Sequence, residues 1–192
     1  MSLRTLTLSE FGTALAAKSP VPGGGSVAAV TVSHAAALVC MVLEFTLGKP
    51  AYAAHEESNA KALARARDLR QRALELADAD AQAYGELNSL WKLPKDAAAR
   101  VQAWDAAVQA AIDAPQAILD AAAETARLAA HLSACTNPNL ASDLAIALDL
   151  ARVAARAAAH NVQVNLPSVQ DAAVRARFES RMHASLAEAG AT

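Results

Sequence analysis

The chain has 192 residues, a length typical of one domain, so we expect residues 1–192 to form a single unit. Its formal net charge of −2 gives no electrostatic basis for binding nucleic acid or an anionic membrane surface. A hydrophobic fraction of 54% with few aromatic residues and many alanines favours closely packed helices.

The elements follow one another as helices, because no segment shows the alternating pattern of a strand. A capping box at Thr7 and Glu10 starts the first helix. The apolar central helix ends at Gly48, a residue type common after helix C-termini. Ser168 is the expected N-cap of the last helix. The predicted spans are 7–18, 27–48, 55–91, 96–132, 140–167 and 168–188, which together predict an all-α bundle of about six helices around a buried central helix.

The apolar run at residues 27–43 approaches the length of a transmembrane helix. It lacks basic flanks, and polar residues including Thr31 and His34 interrupt it. We therefore interpret it as a core helix that is apolar on every side, with His34 buried.

The polar first residues do not predict a signal peptide, and the widely spaced Cys40 and Cys135 suit free thiols. We expect a cytoplasmic protein.

A glycine-rich loop, PVPGGGS at residues 20–26, precedes the central helix. Glycines allow positive φ and the close approach of a ligand, and Ser26 is a suitable N-cap. Free amides at a helix N-terminus favour an anion. The loop therefore predicts an anion-binding site, and a tight loop packed on neighbouring backbone is the alternative.

Two aspartates in the third helix face different directions. Asp80 interrupts an inward stripe that includes Leu69, Leu87 and Trp91, whereas Asp78 lies on the polar face. A buried carboxylate without a partner is costly, so Asp80 requires either a partner or a chemical role.

A second polar cluster is NLASD at residues 139–143. Asn139 is expected to cap the fifth helix, with Asp143 in its first turn. Asn161 and Asn165 follow on the azimuth of Asp143, and these polar groups require partners in a site or across a helix or subunit contact.

The histidines predict no metal centre. His34 and His160 form no H-x-x-x-H pair and have no nearby cysteine in the sequence.

The motifs PVPGGGSVAA, ADADAQAY, KLPK, NLASD and NVQVNL occur in this order over nearly the whole chain. Together they resemble the cyclodeaminase/cyclohydrolase family, which comprises the C-terminal half of formiminotransferase-cyclodeaminase and stand-alone methenyltetrahydrofolate cyclohydrolases. The resemblance implies an all-α homodimer that binds a reduced folate near the dimer interface. It implies no nucleic-acid or membrane partner.

The resemblance implies an enzyme of one-carbon metabolism that uses a tetrahydrofolate derivative as substrate, with no tightly bound cofactor and no metal. The first expectation is a formiminotetrahydrofolate cyclodeaminase, which releases ammonia in histidine degradation and forms 5,10-methenyltetrahydrofolate. The alternatives are a methenyltetrahydrofolate cyclohydrolase and a catalytically silent helical dimer that acts as a binding module.

The expected site follows from folate chemistry, since the pterin pairs with carboxylates and amides and the glutamate tail with lysines. A buried carboxylate with a raised pKa suits proton transfer at the one-carbon unit. The predicted catalytic residues are Asp80 and Asp143, and the predicted substrate-binding residues are Gly23, Gly24, Gly25, Ser26, Lys49, Tyr52, Lys92, Lys95, Asn139, Ser142, Asn161 and Asn165.

Overall fold

The computed structural model describes residues 2–191, which form six α-helices and four short 3-10 helices and contain no strand. The all-α prediction and the number of helices are thus confirmed. The α-helices are α1 (Leu8–Ala16), α2 (Gly24–Glu44), α3 (Glu56–Trp91), α4 (Ala98–Leu132), α5 (Ala141–Asn165) and α6 (Ala172–Glu188).

Helices α2 to α5 form an antiparallel four-helix core, in which each helix packs on the next and α5 returns to α2. Contacts between Gly25 and Asp80 bring the start of α2 to the end of α3, and Asn137 donates from its backbone to Thr46 near the end of α2. Helix α6 packs on α4 and α5. The bundle has a site end, at residues 20–26, 80–111 and 161–168, and a far end, at residues 46–59 and 132–143.

Small side chains fill the interior of this bundle. Alanine supplies more than half of the buried apolar residues, so the helix axes can approach closely. Larger residues such as Leu69, Ile112 and Leu119 are fully buried between them. Each of these contributes about 1.5–3 kcal/mol relative to an exposed side chain.

Helix α2 is the predicted core helix, but one of its faces is open. By length and composition it is the one candidate membrane span among the described residues, and 61% of that apolar window is buried against α3, α4 and α5. The prediction that His34 is buried is wrong: His34 lies on the outer face, which also exposes Val27 and Phe45. Each helix of a four-helix bundle has neighbours on only part of its circumference, so α2 keeps one face open.

The capping box of α1 is confirmed, since Thr7 accepts from the Glu10 amide and donates its own amide to the Glu10 carboxylate. The helix ends at Ala16 rather than Lys18 and has no buried residue.

The predicted N-caps of α4 and α6 are wrong, by one and three residues respectively. Helix α4 begins after Ala97, without a side-chain cap from Asp96, and the N-cap of α6 is Asp171 instead of Ser168. Asp171 accepts from the amides of Ala173 and Val174, while Ser168 ends a preceding 3-10 turn. The aspartate side chain satisfies two free amides, which fixes the helix start.

Candidate active site

A cavity of about 260 Å³ lies at the site end of the bundle, where α2 begins. The glycine loop, the end of α3 and the end of α5 enclose it, so segments distant in sequence supply its walls. Six of the site residues predicted from the sequence line it: Gly23, Gly24, Gly25, Asp80, Asn161 and Asn165.

Asp80 projects from α3 into this cavity, as its position on the inward stripe predicted. The Ser26 hydroxyl oxygen lies 3.4 Å from its Oδ2, and no Lys, Arg or His of residues 2–191 forms an ion pair with it. Burial raises the pKa of Asp80 to about 6, against the smaller opposite effect of the Ser26 hydroxyl and backbone amide. A carboxyl group with this pKa exchanges protons readily near neutral pH.

Ser26 is not the N-cap of α2, contrary to the sequence prediction. The helix already begins at Gly24, with Gly23 as its N-cap, so Ser26 lies in the first turn and is fully buried. Its hydroxyl oxygen lies 3.2 Å from the Ala77 carbonyl and 3.4 Å from Oδ2 of Asp80, so its single proton is shared between two acceptors. Ser26 therefore joins the start of α2 to α3 and orients the carboxylate.

The glycines of the loop serve close packing, and the expected positive φ is wrong for them. Among the described glycines only Gly48 and Gly190 have positive φ. A Cβ atom on Gly25 would lie 2.2 Å from Oδ1 of Asp80, so that position admits only glycine unless Asp80 moves. The carboxylate of Asp80 lies against the first turn of α2, where a helix favours negative charge.

Asn161 and Asn165 form the opposite wall on α5. The Asn165 side-chain amide donates to the carbonyls of Ala111 and Asn161, at 2.9 and 3.0 Å, and the Asn161 amide donates to Ala157. Because both donors of Asn165 are occupied, its Oδ1 atom is left to accept from a ligand. The polar face of α5 thus presents amide oxygens to the cavity.

Tyr84 also lines the cavity, and the sequence prediction of the site omitted it. It follows Asp80 by four residues in α3, which places both side chains on one helix face. This four-residue spacing from Asp80 is the sequence signal that could have identified Tyr84 as a site residue. Trp91, predicted to face inward, is 41% exposed and packs edge-to-face on Tyr84.

The other predicted site residues do not line this cavity. Asp143 precedes Asn161 by 18 residues in α5, a helical distance of about 27 Å. It lies in the first turn of α5, as predicted, but Asn139 does not cap this helix: Leu140 holds the N-cap position without a side-chain bond. Asn137 instead caps the preceding 3-10 helix by accepting from the Asn139 amide. The predicted residues at the far end are Lys49, Tyr52, Asn139, Ser142 and Asp143.

Lys92 and Lys95 lie at the site end, in the exposed turn between α3 and α4. Lys95 lines a separate groove beside the cavity. Their expected contact with a substrate tail stays a prediction.

Asp78 has a separate task. Its carboxylate accepts from the Ser2 hydroxyl at 2.6 Å and from the Leu3 amide, and it lies 3.8 Å from the Arg4 guanidinium. It is therefore half-buried under the N-terminal segment instead of being freely solvated with the polar face of α3.

Residues 7–184 match the Formiminotransferase-cyclodeaminase family. The chain belongs to this family. The match spans the glycine loop, Asp80 and both asparagines, so the cavity lies wholly inside the matched region. The predicted resemblance, and an enzyme of this family's type, are confirmed.

Several relatives share most of this chain. It is 33% identical to the methenyltetrahydrofolate cyclohydrolase of Methylorubrum extorquens, covering 96% of this chain and 91% of that protein. It is 30% identical to the formimidoyltransferase-cyclodeaminase of Sus scrofa over 98% of this chain, but spans only 36% of that protein. The crystal structure of formiminotetrahydrofolate cyclodeaminase from Thermotoga maritima has a TM-score of 0.90 at 26% identity and covers 98% of this chain and 92% of its own.

Proposed function

We propose that this protein acts on the one-carbon unit between N5 and N10 of tetrahydrofolate, with Asp80 as the proton-transfer group. The observation that supports this most directly is a partly buried carboxylate, with a pKa raised to about 6, in a cavity inside the family region. A silent binding module would gain nothing from the cost of burying Asp80.

Both reactions named for the relatives pass through a tetrahedral intermediate at the one-carbon unit, formed when a nucleophile adds and broken down when a nitrogen leaves. In hydrolysis, water attacks the methenyl carbon of 5,10-methenyltetrahydrofolate, the N5–carbon bond breaks, and 10-formyltetrahydrofolate and a proton result. In cyclodeamination, N10 attacks the protonated formimino carbon and loses its proton, the bond from that carbon to its amino nitrogen breaks as this nitrogen gains a proton, and the methenyl cation and ammonia result. In both, one carboxylate can accept the proton of the nucleophile and return it to the departing nitrogen.

The rest of the cavity suits a pterin. The reduced ring carries N–H donors along one edge, and the free Oδ1 of Asn165 is positioned to accept from them. The Gly24 backbone lies near Asn161, since an added Cβ would be 3.7 Å from its side-chain amide. The glycine loop and α5 therefore meet at that point and form one continuous wall, against which the ring can lie.

We propose methenyltetrahydrofolate cyclohydrolase as the principal activity. The support is the Methylorubrum cyclohydrolase, which this chain covers for 91% of its length at 33% identity. Cyclodeamination, the first expectation from the sequence, is the second candidate, supported by the Thermotoga cyclodeaminase of nearly the same fold.

Absorbance of the methenyl chromophore tests both activities. A cyclohydrolase consumes 5,10-methenyltetrahydrofolate in water faster than buffer does, and a cyclodeaminase produces it from 5-formiminotetrahydrofolate with release of ammonia. We expect Asp80→Asn to lose the enzymatic rate. Wild-type protein that changes neither reaction would overturn the proposal.

We further propose that the protein is a homodimer paired through the outer face of α2. This helix carries no Asp, Glu, Lys or Arg between Gly24 and Leu43. Its outer face includes Val27, Val30, Leu38 and Met41, all exposed or half-buried, together with the exposed His34, and the exposed Phe45 follows at the C-cap. The outer faces of α3 and α5 carry charges instead. Such a face is typical of an interface between subunits.

Antiparallel pairing of two α2 helices would also complete the site. The helix has 21 residues and is about 30 Å long, so the cavity and Lys49 lie at opposite ends of it. A two-fold axis near the middle of α2 carries the far end of one protomer toward the cavity of the other. Under this proposal Lys49, Tyr52 and the 139–143 motif act in the partner's site.

A further inference from the structure

A groove of aromatic and cationic side chains opens beside the cavity at the site end. It has a volume of about 740 Å³, and its walls include Trp91, Trp104, Lys95 and Arg100. Tyr84 connects it to the cavity: the ring centres of Tyr84 and Trp91 lie 6.1 Å apart, and those of Trp91 and Trp104 lie 6.5 Å apart, both edge-to-face. A row of three aromatic rings therefore leads outward from Asp80.

The cations of this groove are available to a ligand. The Arg100 guanidinium stacks over the Trp104 ring at 4.4 Å, and its Nη1 donates to the Leu93 carbonyl at 2.8 Å. Within residues 2–191 neither Arg100 nor Lys95 forms an ion pair. Asp105 also lines the groove, so these three ionisable groups carry one excess positive charge. Arginine held against an aromatic ring keeps several N–H donors in a fixed plane, which suits a carboxylate.

The cavity is too small for a complete folate. Pockets that bury a ligand of this size measure roughly 300–1,000 Å³, against about 260 Å³ here. With the one-carbon unit at Asp80 and the pterin inside the cavity beside Asn165, the aminobenzoyl ring and the glutamate must lie outside.

We propose that this groove binds the aminobenzoyl-glutamate part of the substrate. The proposal rests on the proposed function and assigns roles to residues beyond the cavity. The aminobenzoyl ring packs against Trp91 and Trp104, and the glutamate carboxylates pair with Arg100 and Lys95. These residues bind substrate without touching the reacting atoms, so their effect belongs in KM.

Kinetics with two substrates test the proposal. Wild-type protein is compared on 5,10-methenyltetrahydrofolate and on 5,10-methenyltetrahydropteroate, which lacks the glutamate. We expect kcat/KM to be higher for the folate by about tenfold, the effect of a charged hydrogen bond. In Arg100→Gln that preference disappears through a higher KM for the folate, while kcat changes by less than about twofold. Lys61→Gln, which removes a surface charge of α3 outside the site end, keeps the preference. Equal preference in Arg100→Gln and wild type would overturn the proposal.

Tryptophan fluorescence gives a readout that needs no turnover. The chain contains two tryptophans, Trp91 and Trp104, and both lie in this groove. We expect 5-formyltetrahydrofolate, a stable analogue, to quench them saturably in wild type and Lys61→Gln, and with at least about tenfold weaker affinity in Arg100→Gln. Absent or unchanged quenching would overturn the groove assignment. Saturable quenching without turnover of either substrate would instead refute the proposed function.

Discussion

At the scale of single residues, Asp80 is the side chain whose ionisation in the folded state costs folding free energy. Its carboxyl group is partly buried against α2, and the Ser26 hydroxyl is its one side-chain hydrogen-bond donor among residues 2–191. Burial raises its pKa from 3.8 to about 6, so the folded state holds the proton more tightly than the unfolded chain does. A folded carboxyl of this kind lowers stability wherever it must ionise.

We expect Asp80→Asn to stabilise the protein at neutral pH and to abolish turnover. Because the folded pKa is raised, the stability cost is absent below about pH 4, grows between pH 4 and 6, and is complete above pH 6. The shift corresponds to about 3 kcal/mol at most. Urea unfolding should therefore show a gain of about 1–3 kcal/mol at pH 8 that disappears at pH 4.

Asp78→Asn is the matched control, on the same helix two residues earlier. It weakens the contacts to Ser2 and Leu3 and should retain most activity, because Asp78 does not line the cavity. Equal losses of activity in the two folded variants would contradict the assigned role of Asp80.

The pH dependence of wild-type turnover gives a second test at this scale. If ionised Asp80 accepts the proton of the nucleophile, kcat/KM should rise with pH and reach half its plateau near pH 6. Initial rates between pH 4.5 and 8, corrected for the spontaneous reaction in buffer, measure this. A rate that falls as pH rises through 6 would mean that the protonated acid is the required form.

At the scale of elements, the start of α2 and the end of α3 form one unit. The glycines remove side chains where the two helices meet, and Ser26 bonds to the Ala77 carbonyl across the contact. The sequence predicted an anion at the N-terminus of α2, and the carboxylate of Asp80 itself lies in that position. The loop thus positions the carboxylate for which we propose the proton-transfer role.

We expect Gly25→Ala to lose at least tenfold in kcat/KM, because the new Cβ would lie 2.2 Å from the Asp80 carboxylate and would displace it. Gly85→Ala is the control: it lies inside α3, where an added Cβ meets nothing within 4 Å. That change should stabilise the helix by up to about 1 kcal/mol. Steady-state rates and thermal unfolding of both variants measure the difference, and full activity in Gly25→Ala would show that Asp80 relaxes without consequence.

At the scale of the whole molecule, the residues of the family motifs lie at two ends of the bundle. The cavity holds the glycine loop, Asp80, Asn161 and Asn165, whereas Lys49, Tyr52 and residues 139–143 lie near the other end of α2. One protomer does not bring them together. Antiparallel pairing through the apolar outer face of α2 would.

We expect Phe45→Glu to yield monomers and to lose activity. Phe45 is 56% exposed, so the change removes little from the protomer core but places charge on the proposed interface. Val153→Glu, at a residue of α5 that is 50% exposed, should leave the dimer and the activity intact. Sedimentation at micromolar concentration measures the assembly. A wild-type protein that sediments only as a folded monomer would refute the dimer.

Mixed dimers test whether the site is shared. Asp80→Asn and Lys49→Gln homodimers should each be inactive or weak, while their co-expression yields heterodimers in which one of two sites has both native residues. About a quarter of wild-type activity should return if subunits pair at random. No recovery in confirmed heterodimers would place Lys49 outside the partner's site.

The sequence by itself determined the all-α architecture, the capping box of α1 and the inward direction of Asp80. These features depend on local periodicity and on residues three or four apart in the chain, which helix geometry places predictably. The motif order was also enough to predict the family.

Only the tertiary structure decided which polar residues share a cavity. Asp80, Gly25 and Asn161 come from three helices, and their meeting depends on how the bundle packs. Helical azimuth placed Asp143 with Asn161, but azimuth carries no information about the roughly 27 Å between them along α5. The sequence could not predict the exposure of His34 either, because the packing of the other helices decides which faces of α2 are covered.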